Sequence, residues 1–242
     1  MKVSLVIPCY NESKSLPELL KSCQKAFHGK NVEIVIVDNG STDDTQEVLN
    51  NLVKDYSFIT MVKVEKNIGY GNGIIQGLYR ASGEILGWTH ADLQTNPGDI
   101  NKGLVFFEEA KDIERIFVKG ERYGRSFFDV FFTMGMALFE SILMQTKMWD
   151  INAQPTLFHK SFFDSWVEPP HDFSLDLFAY FMAKKKGLII GRFSVLFSER
   201  VYGVSNWNVG WLNKYKFIKR TLQYSFLLSR KIKNNAKNYS SD

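Results

Sequence analysis

Between Val3 and Thr89, short runs of branched apolar residues alternate with segments of helical period, and that rhythm leaves few folds open. Val3 to Ile7 reads as a strand, Leu16 to Phe27 as an amphipathic helix, Val32 to Val37 as a second strand and Thr42 to Tyr56 as a second helix. Ile59 to Val64 gives a third strand, Gly71 to Ala81 a helix packed closely through glycines, and Ile85 to Thr89 a fourth strand that runs into His90. The pattern predicts an α/β chain built on a parallel, doubly wound sheet. In open sheets of this kind ligands bind beyond the carboxyl ends of the strands, so the residues just after Ile7, Val37 and Thr89 matter most.

Beyond Gln94 the rhythm changes. Asp99 to Ala110 reads as helix, Arg115 to Lys119 as strand and Phe127 to Met144 as a long apolar helix, and strand and helix recur through Leu188 to Phe197. With 242 residues, 45% of them hydrophobic and 23% charged, the chain can bury one substantial core. Two cysteines, Cys9 and Cys23, are too few for a disulfide framework and fit a reduced, cytosolic setting. The N-terminus enters a strand directly, with no signal-peptide pattern. No apolar run reaches the roughly 20 residues of a membrane span; the nearest, Phe127 to Met144, is interrupted by Asp129 and Glu140.

A net charge of +4 argues against a nucleic-acid partner, but Ser205 to Ser241 contains no Asp or Glu. Residues 1–206 are expected to form the main domain and 207–242 a basic, aromatic helical tail. Trp211 to Lys233 mixes Trp211, Tyr215, Phe217, Ile218, Leu222, Phe226 and Leu227 with seven Lys/Arg. A helix of this kind either lies in a headgroup layer or packs on the core with a solvated basic face.

Three polar loops fall where ligands are expected. Pro8-Cys9-Tyr10-Asn11-Glu12-Ser13 links a buried strand to a helix, with Pro8 ending the strand and Ser13 capping the helix. Asp38-Asn39-Gly40-Ser41-Thr42-Asp43-Asp44 sets a carboxylate at a strand tip, suited to ribose hydroxyls or base N–H donors, while Ser41 or Thr42 caps the second helix. In Trp88-Thr89-His90-Ala91-Asp92-Leu93-Gln94, alternation along an extended chain sends His90, Asp92 and Gln94 to one side. Their oxygens and imidazole suit a divalent cation, Mn²⁺ or Mg²⁺, able to bridge a diphosphate.

Taken together, SLVIPCYNES, VDNGSTDDT, NIGYGNGIIQGL and HADLQ resemble the family-2 glycosyltransferases, in the family's order and approximate spacing. The HADLQ segment with its following proline is most similar to the dolichyl- and polyprenyl-phosphate mannose synthase branch, which reads Asp-Ala-Asp-Leu-Gln there. The likeness is good over residues 1–97 and weaker to about 206. It implies a Rossmann-like GT-A fold, with a mostly parallel, doubly wound, mixed sheet, and a nucleotide-sugar donor, with Pro8, Tyr10, Glu12 and Gly71 along the nucleotide and Asp38 on its base or ribose. Asp92 and Gln94 would hold the metal; His90, standing for the family's first aspartate, would be a third ligand or would support one.

The resemblance also places an acceptor side. Gly120-Glu121-Arg122-Tyr123 is similar to the segment that carries an arginine toward the acceptor, with Arg125 behind Arg122, and Arg200-Val201-Tyr202-Gly203-Val204-Ser205 matches the family's Arg-x-x-Gly-x-Ser. Guanidinium forks match phosphate oxygens. Gln154 lies in the loop that would face the donor sugar or the acceptor. Asp176 stands where many members place a general base, which a hydroxyl acceptor requires and a phosphate acceptor does not.

The expected activity is inverting transfer to a polyprenyl phosphate, by a peripheral enzyme at the cytoplasmic membrane face. The alternatives are transfer to a glycan hydroxyl with Asp176 as base, and a nucleotide-sugar binding protein without catalysis.

Overall fold

A computed structural model describes residues 1–200, 202, 219 and 221–230 of the chain. Strands β1 (Val3–Cys9), β2 (Val32–Asn39), β3 (Ile59–Val64) and β4 (Ile85–Trp88) alternate with helices α1 (Leu16–Phe27), α2 (Thr45–Leu52) and α3 (Tyr70–Arg80). There follow α4 (Ile100–Glu108), β5 (Ile116–Tyr123), α5 (Phe127–Leu143), β6 (Thr156–His159), α6 (Lys160–Asp164), α7 (Leu175–Lys185) and β7 (Ile189–Leu196). All seven strands form one sheet in the order β3-β2-β1-β4-β6-β5-β7.

The expected mostly parallel, mixed sheet is what forms. β1 lies between β2 and β4, parallel to both, while β6 runs antiparallel to β4 and β5, and β7 is parallel to β5. One face buries α1 and α4. Leu16, Leu19, Leu20 and Cys23 of α1 are fully buried there at helical spacing, each leucine contributing about 1.5–3 kcal/mol relative to exposure. The other face packs α3, α6 and α7, with Trp88, Phe117, Phe158 and Phe162 at its centre.

Several boundaries move for identifiable reasons. β1 does not end at Ile7 but continues through Pro8 to Cys9, in register with Val37 and Asp38 of β2. On its other side β4 pairs only as far as Val6↔Trp88, so β4 asks nothing of Pro8's missing N–H. α2 starts at Thr45 rather than Thr42, because the Asp43 carboxylate accepts from Thr45 N at 3.0 Å and holds the preceding residues in a turn. β5 continues to Tyr123 because β7 pairs with it from Ile116↔Ile189 to Tyr123↔Leu196, holding Glu121 and Arg122 in the ladder despite their polarity.

Of the expected C-terminal helix, residues 221–230 are described and helical. Leu228 is buried in the core and Ser225 hydrogen-bonds Glu140 of α5, whereas Phe226 and Leu227 are 50% and 63% exposed. The expected boundary at 206/207 lies outside the described residues. No helix among them is long and apolar enough to cross a membrane.

Candidate functional site

The loops after β1 and β2 interlock at the carboxyl edge of the sheet. Asn11, held at φ 57°, donates its backbone N–H to Ser41 Oγ (3.1 Å), and its side-chain oxygen accepts from Thr42 N (2.8 Å). Glu12 N donates to Thr45 Oγ1 (2.9 Å). The Ser13 hydroxyl, expected to cap α1, instead donates to Asp43 (2.8 Å), and the helix begins after Ser15. Asp38 is buried at the tip of β2, its Oδ1 accepting from Ser41 N at 3.0 Å, and Tyr10 stands half-exposed above.

α3 meets these loops through close backbone contact. A Cβ on Gly73 would lie 3.2 Å from the side chain of Pro8, and one on Gly71 2.6 Å from Asp172 O and 2.7 Å from Pro170 O. Gly71, expected along the nucleotide, is therefore required to be glycine by the 170–172 backbone packed against it. Asn72 N donates to His171 O (2.9 Å), and the Asp172 carboxylate accepts from Ser174 N (2.9 Å) to turn the chain into α7.

The segment after β4 corrects the expectation of an alternating chain. Residues 91–95 form a series of bends with Leu93 at φ 59°, so His90, Asp92 and Gln94 do not converge by strand alternation. Asp92 is nearly buried; its Oδ1 accepts from Gln94 N (3.2 Å) and its Oδ2 from Arg200 Nη2 (2.9 Å). Gln94 is tied to Ser198, its Nε2 donating to Ser198 O (3.2 Å) while its backbone carbonyl accepts from Ser198 N (2.8 Å). His90 lies against Tyr70, ring centroids 5.7 Å apart, and Tyr70 stacks on Phe173 at 5.0 Å. Burial pushes the His90 imidazole toward its neutral form, against the pull of Asp92 and Asp176. Burial likewise raises the Glu12 carboxyl, with a bond from Ser15 and the charge of Arg200 in partial opposition.

On the far side of β4, Lys119 of β5 is wholly buried and donates to Asp176 (3.1 Å) and to Thr156 Oγ1 (3.0 Å). Burial lowers its ammonium to about 8 despite the carboxylate beside it. The Gln154–Pro155 bond is cis; Gln154 Nε2 hydrogen-bonds the Tyr70 hydroxyl, and its Oε1 is buried without a partner. Arg122 grips Asp150 through Nε (3.0 Å), Nη2 and its backbone N (2.8 Å), and Arg125 lies 3.6 Å from the same carboxylate. Burial would raise the Asp150 carboxyl, but Arg122 and then Arg125 hold it below the usual range. Arg122 and Arg125 are thus both held by one acid. Ser205 lies outside the described residues.

The profile of glycosyl transferase family 2 matches residues 4–165, two-thirds of the chain. The chain belongs to that family. Among curated members it is 36% identical over 115 residues to undecaprenyl-phosphate 4-deoxy-4-formamido-L-arabinose transferase of Enterobacter sp. (strain 638), covering 46% of this chain and 35% of that protein. It is 37% identical over 113 residues to dolichol-phosphate mannosyltransferase of Pyrococcus furiosus, covering 47% and 32%. The matched part is thus about a third of either relative.

The fold is shared with glucosyl-3-phosphoglycerate synthase of Mycobacterium tuberculosis, solved with Mn²⁺, UDP and glucosyl-3-phosphoglycerate (TM-score 0.70, 16% identity, 94% of this chain and 79% of that one). It is also shared with a mannosyltransferase of Pyrobaculum calidifontis solved with GDP-Man and Mn²⁺ (TM-score 0.62, 18% identity, 84% and 58%). The GT-A architecture that the family resemblance implied is therefore the one present.

The site fits a divalent cation on the chemistry of its donors. A guanidinium already stands on the Asp92 carboxylate, so positive charge is accommodated there. Among the described residues no three His, Cys, Asp or Glu side chains are gathered to hold a metal. One carboxylate with a neighbouring imidazole suits a hard ion completed by phosphate oxygens and water, rather than an all-protein cage. Tyr70, Lys119 and Asp150 were not among the residues expected from sequence. Only Lys119 left a signal there, a lysine closing the apolar run Ile116-Phe117-Val118.

Proposed function

We propose that this family-2 chain is an inverting transferase that moves a sugar from a nucleotide-sugar donor to a polyprenyl phosphate at the cytoplasmic face of a membrane. The observation that carries the choice of acceptor is the Lys119–Asp176 pair. A hydroxyl acceptor needs a carboxylate free to take its proton, and the carboxylate at that place is buried and bound by an ammonium. A phosphate acceptor is already anionic. The two curated relatives bear names of polyprenyl-phosphate sugar transferases, which supports the same choice.

In this reading Pro8, Tyr10 and Glu12 line the nucleotide, and Asp38 accepts from its ribose or base. Asp92, with His90 beside it, holds the cation, Mn²⁺ or Mg²⁺, which when bound supplies positive charge to the leaving diphosphate. Gln94 contributes by tying the 92–94 loop to Ser198. Gln154, with its unpartnered oxygen, faces the sugar hydroxyls. Arg122 and Arg125, two guanidinia sharing one acid, and Arg200 with Ser205 beyond it, receive acceptor phosphate. A phosphate oxygen attacks the anomeric carbon as the bond to the diphosphate breaks, with inversion and no proton removed. Membrane contact comes from α5, where Phe127, Phe131, Met134, Leu138 and Ile142 form one exposed apolar stripe at helical spacing.

The test is incubation with polyprenyl phosphate, Mn²⁺ and a panel of labelled nucleotide sugars. Label should pass from one donor into an acid-labile lipid product, and Asp92→Ala should abolish it. No lipid product from any donor would count against the reading. Label in a glycan hydroxyl product that Asp176→Asn abolishes would replace it with transfer to a hydroxyl. Donor binding without transfer or hydrolysis would leave a binding protein.

A further inference from the structure

Arg200 makes contacts that a phosphate-binding arginine does not need. Its Nη2 lies 2.9 Å from Asp92 Oδ2 and 3.8 Å from Glu12 Oε1, so one guanidinium spans carboxylates from the loops after β4 and β1. Its Nε is buried with no hydrogen-bond partner, so the fork is only partly used in this position. The backbone beside it is tied down separately. Ser198 N donates to Gln94 O at 2.8 Å and Gln94 Nε2 returns to Ser198 O at 3.2 Å, which docks the chain after β7 on the segment carrying Asp92.

From this geometry we infer that Arg200 is a positioning residue acting through Asp92, a resident counter-cation that holds the metal carboxylate in place until a metal ion exchanges with it. The inference rests on the reading of Asp92 as the metal carboxylate. Two carboxylates brought together at low exposure repel each other when no cation lies between them, and Arg200 supplies that charge from within the chain. The guanidinium and a divalent ion compete for the same Asp92 oxygen, so an entering ion must displace Arg200. The docked backbone keeps the freed side chain nearby, with its unused Nε available to an anion. Metal entry is thereby linked to the release of one phosphate-binding group.

Competition of this kind makes a prediction opposite in sign to a simple supporting role. Mn²⁺ binding to the donor-free protein is measured from the free-ion signal in electron paramagnetic resonance, at fixed ionic strength, with folding followed by thermal midpoint. Arg200→Ala and Arg200→Gln should each bind Mn²⁺ about three- to fivefold tighter than the wild type, the upper part of the range expected for loss of a partly exposed ion pair. Arg200→Lys, which keeps the cation, should stay within about twofold of wild type. Adding Asp92→Asn to Arg200→Ala should remove the gain. Mn²⁺ binding that is unchanged, weaker or undetectable in both neutral variants, with the fold intact, overturns the inference. Tighter binding that survives Asp92→Asn also overturns it, and places the ion elsewhere. Because no donor or acceptor is present, transfer activity can fail or succeed independently of this result.

Discussion

Lys119 and Asp176 concentrate the energetics of this site in a single pair. Both are buried, so their attraction mainly offsets the cost of taking two charges out of water. Removing one partner leaves the other charge stranded. Asp176→Asn should therefore lower unfolding free energy by about 3–5 kcal/mol in chemical denaturation, while transfer per folded molecule persists. Complete loss of transfer with an intact fold would instead identify Asp176 as the base. Replacing both, Lys119→Met with Asp176→Leu, should restore most of the stability.

The same lysine sets a pH dependence. Its folded value of about 8 lies below the ordinary lysine value, so between roughly pH 8 and 10.5 the unfolded chain binds more protons than the folded one. Stability contributed through this group therefore rises with pH across that window. Urea titrations at pH 7.5, 9 and 10 should show the wild type gaining relative to the double variant, and a flat or falling difference would contradict the assignment. None of this could be read from residue type alone, since Asp176 and Lys119 are 57 positions apart and meet only because β5 faces the start of α7.

Among the elements, α5 is the most unusual for a soluble surface, with Phe127 79%, Phe131 68% and Ile142 70% exposed. Phe131→Glu with Leu138→Glu should abolish cosedimentation with anionic phospholipid vesicles. Stability should change by less than about 1 kcal/mol, because neither side chain is buried. Retained cosedimentation would count against the proposed membrane contact through α5. α3 depends on the opposite property, a surface without side chains. Gly71→Ala places a methyl group against the carbonyls of Pro170 and Asp172, and should cost about 1–3 kcal/mol in thermal or chemical denaturation. Element type and order followed from apolar periodicity, but ends such as Cys9, Thr45 and Tyr123 were set by ladder partners and side-chain caps, most of them far away in sequence.

Across the whole molecule, the sheet gathers the loops after β1, β2 and β4 at one edge, and ligand binding there should register as global stability. A nucleoside diphosphate with Mn²⁺ at about a hundred times its dissociation constant should add ~2.7 kcal/mol. Asp92→Ala should lose that increment in a thermal-shift titration. The sequence by itself determined the α/β class, the mostly parallel sheet and the loops that carry Asp38 and Asp92, because periodicity and strand-end polarity are local properties of a chain. It did not determine how the segment after β4 is used. Leu93 at positive φ breaks the extended alternation, sending Gln94 to Ser198 and leaving Asp92 to Arg200. That rearrangement, the bond between Lys119 and Asp176 and the shared hold of Asp150 on two arginines were decided by tertiary structure alone. Each joins groups whose charge is costly to bury singly, and only the folded chain can bring a partner of opposite sign within reach.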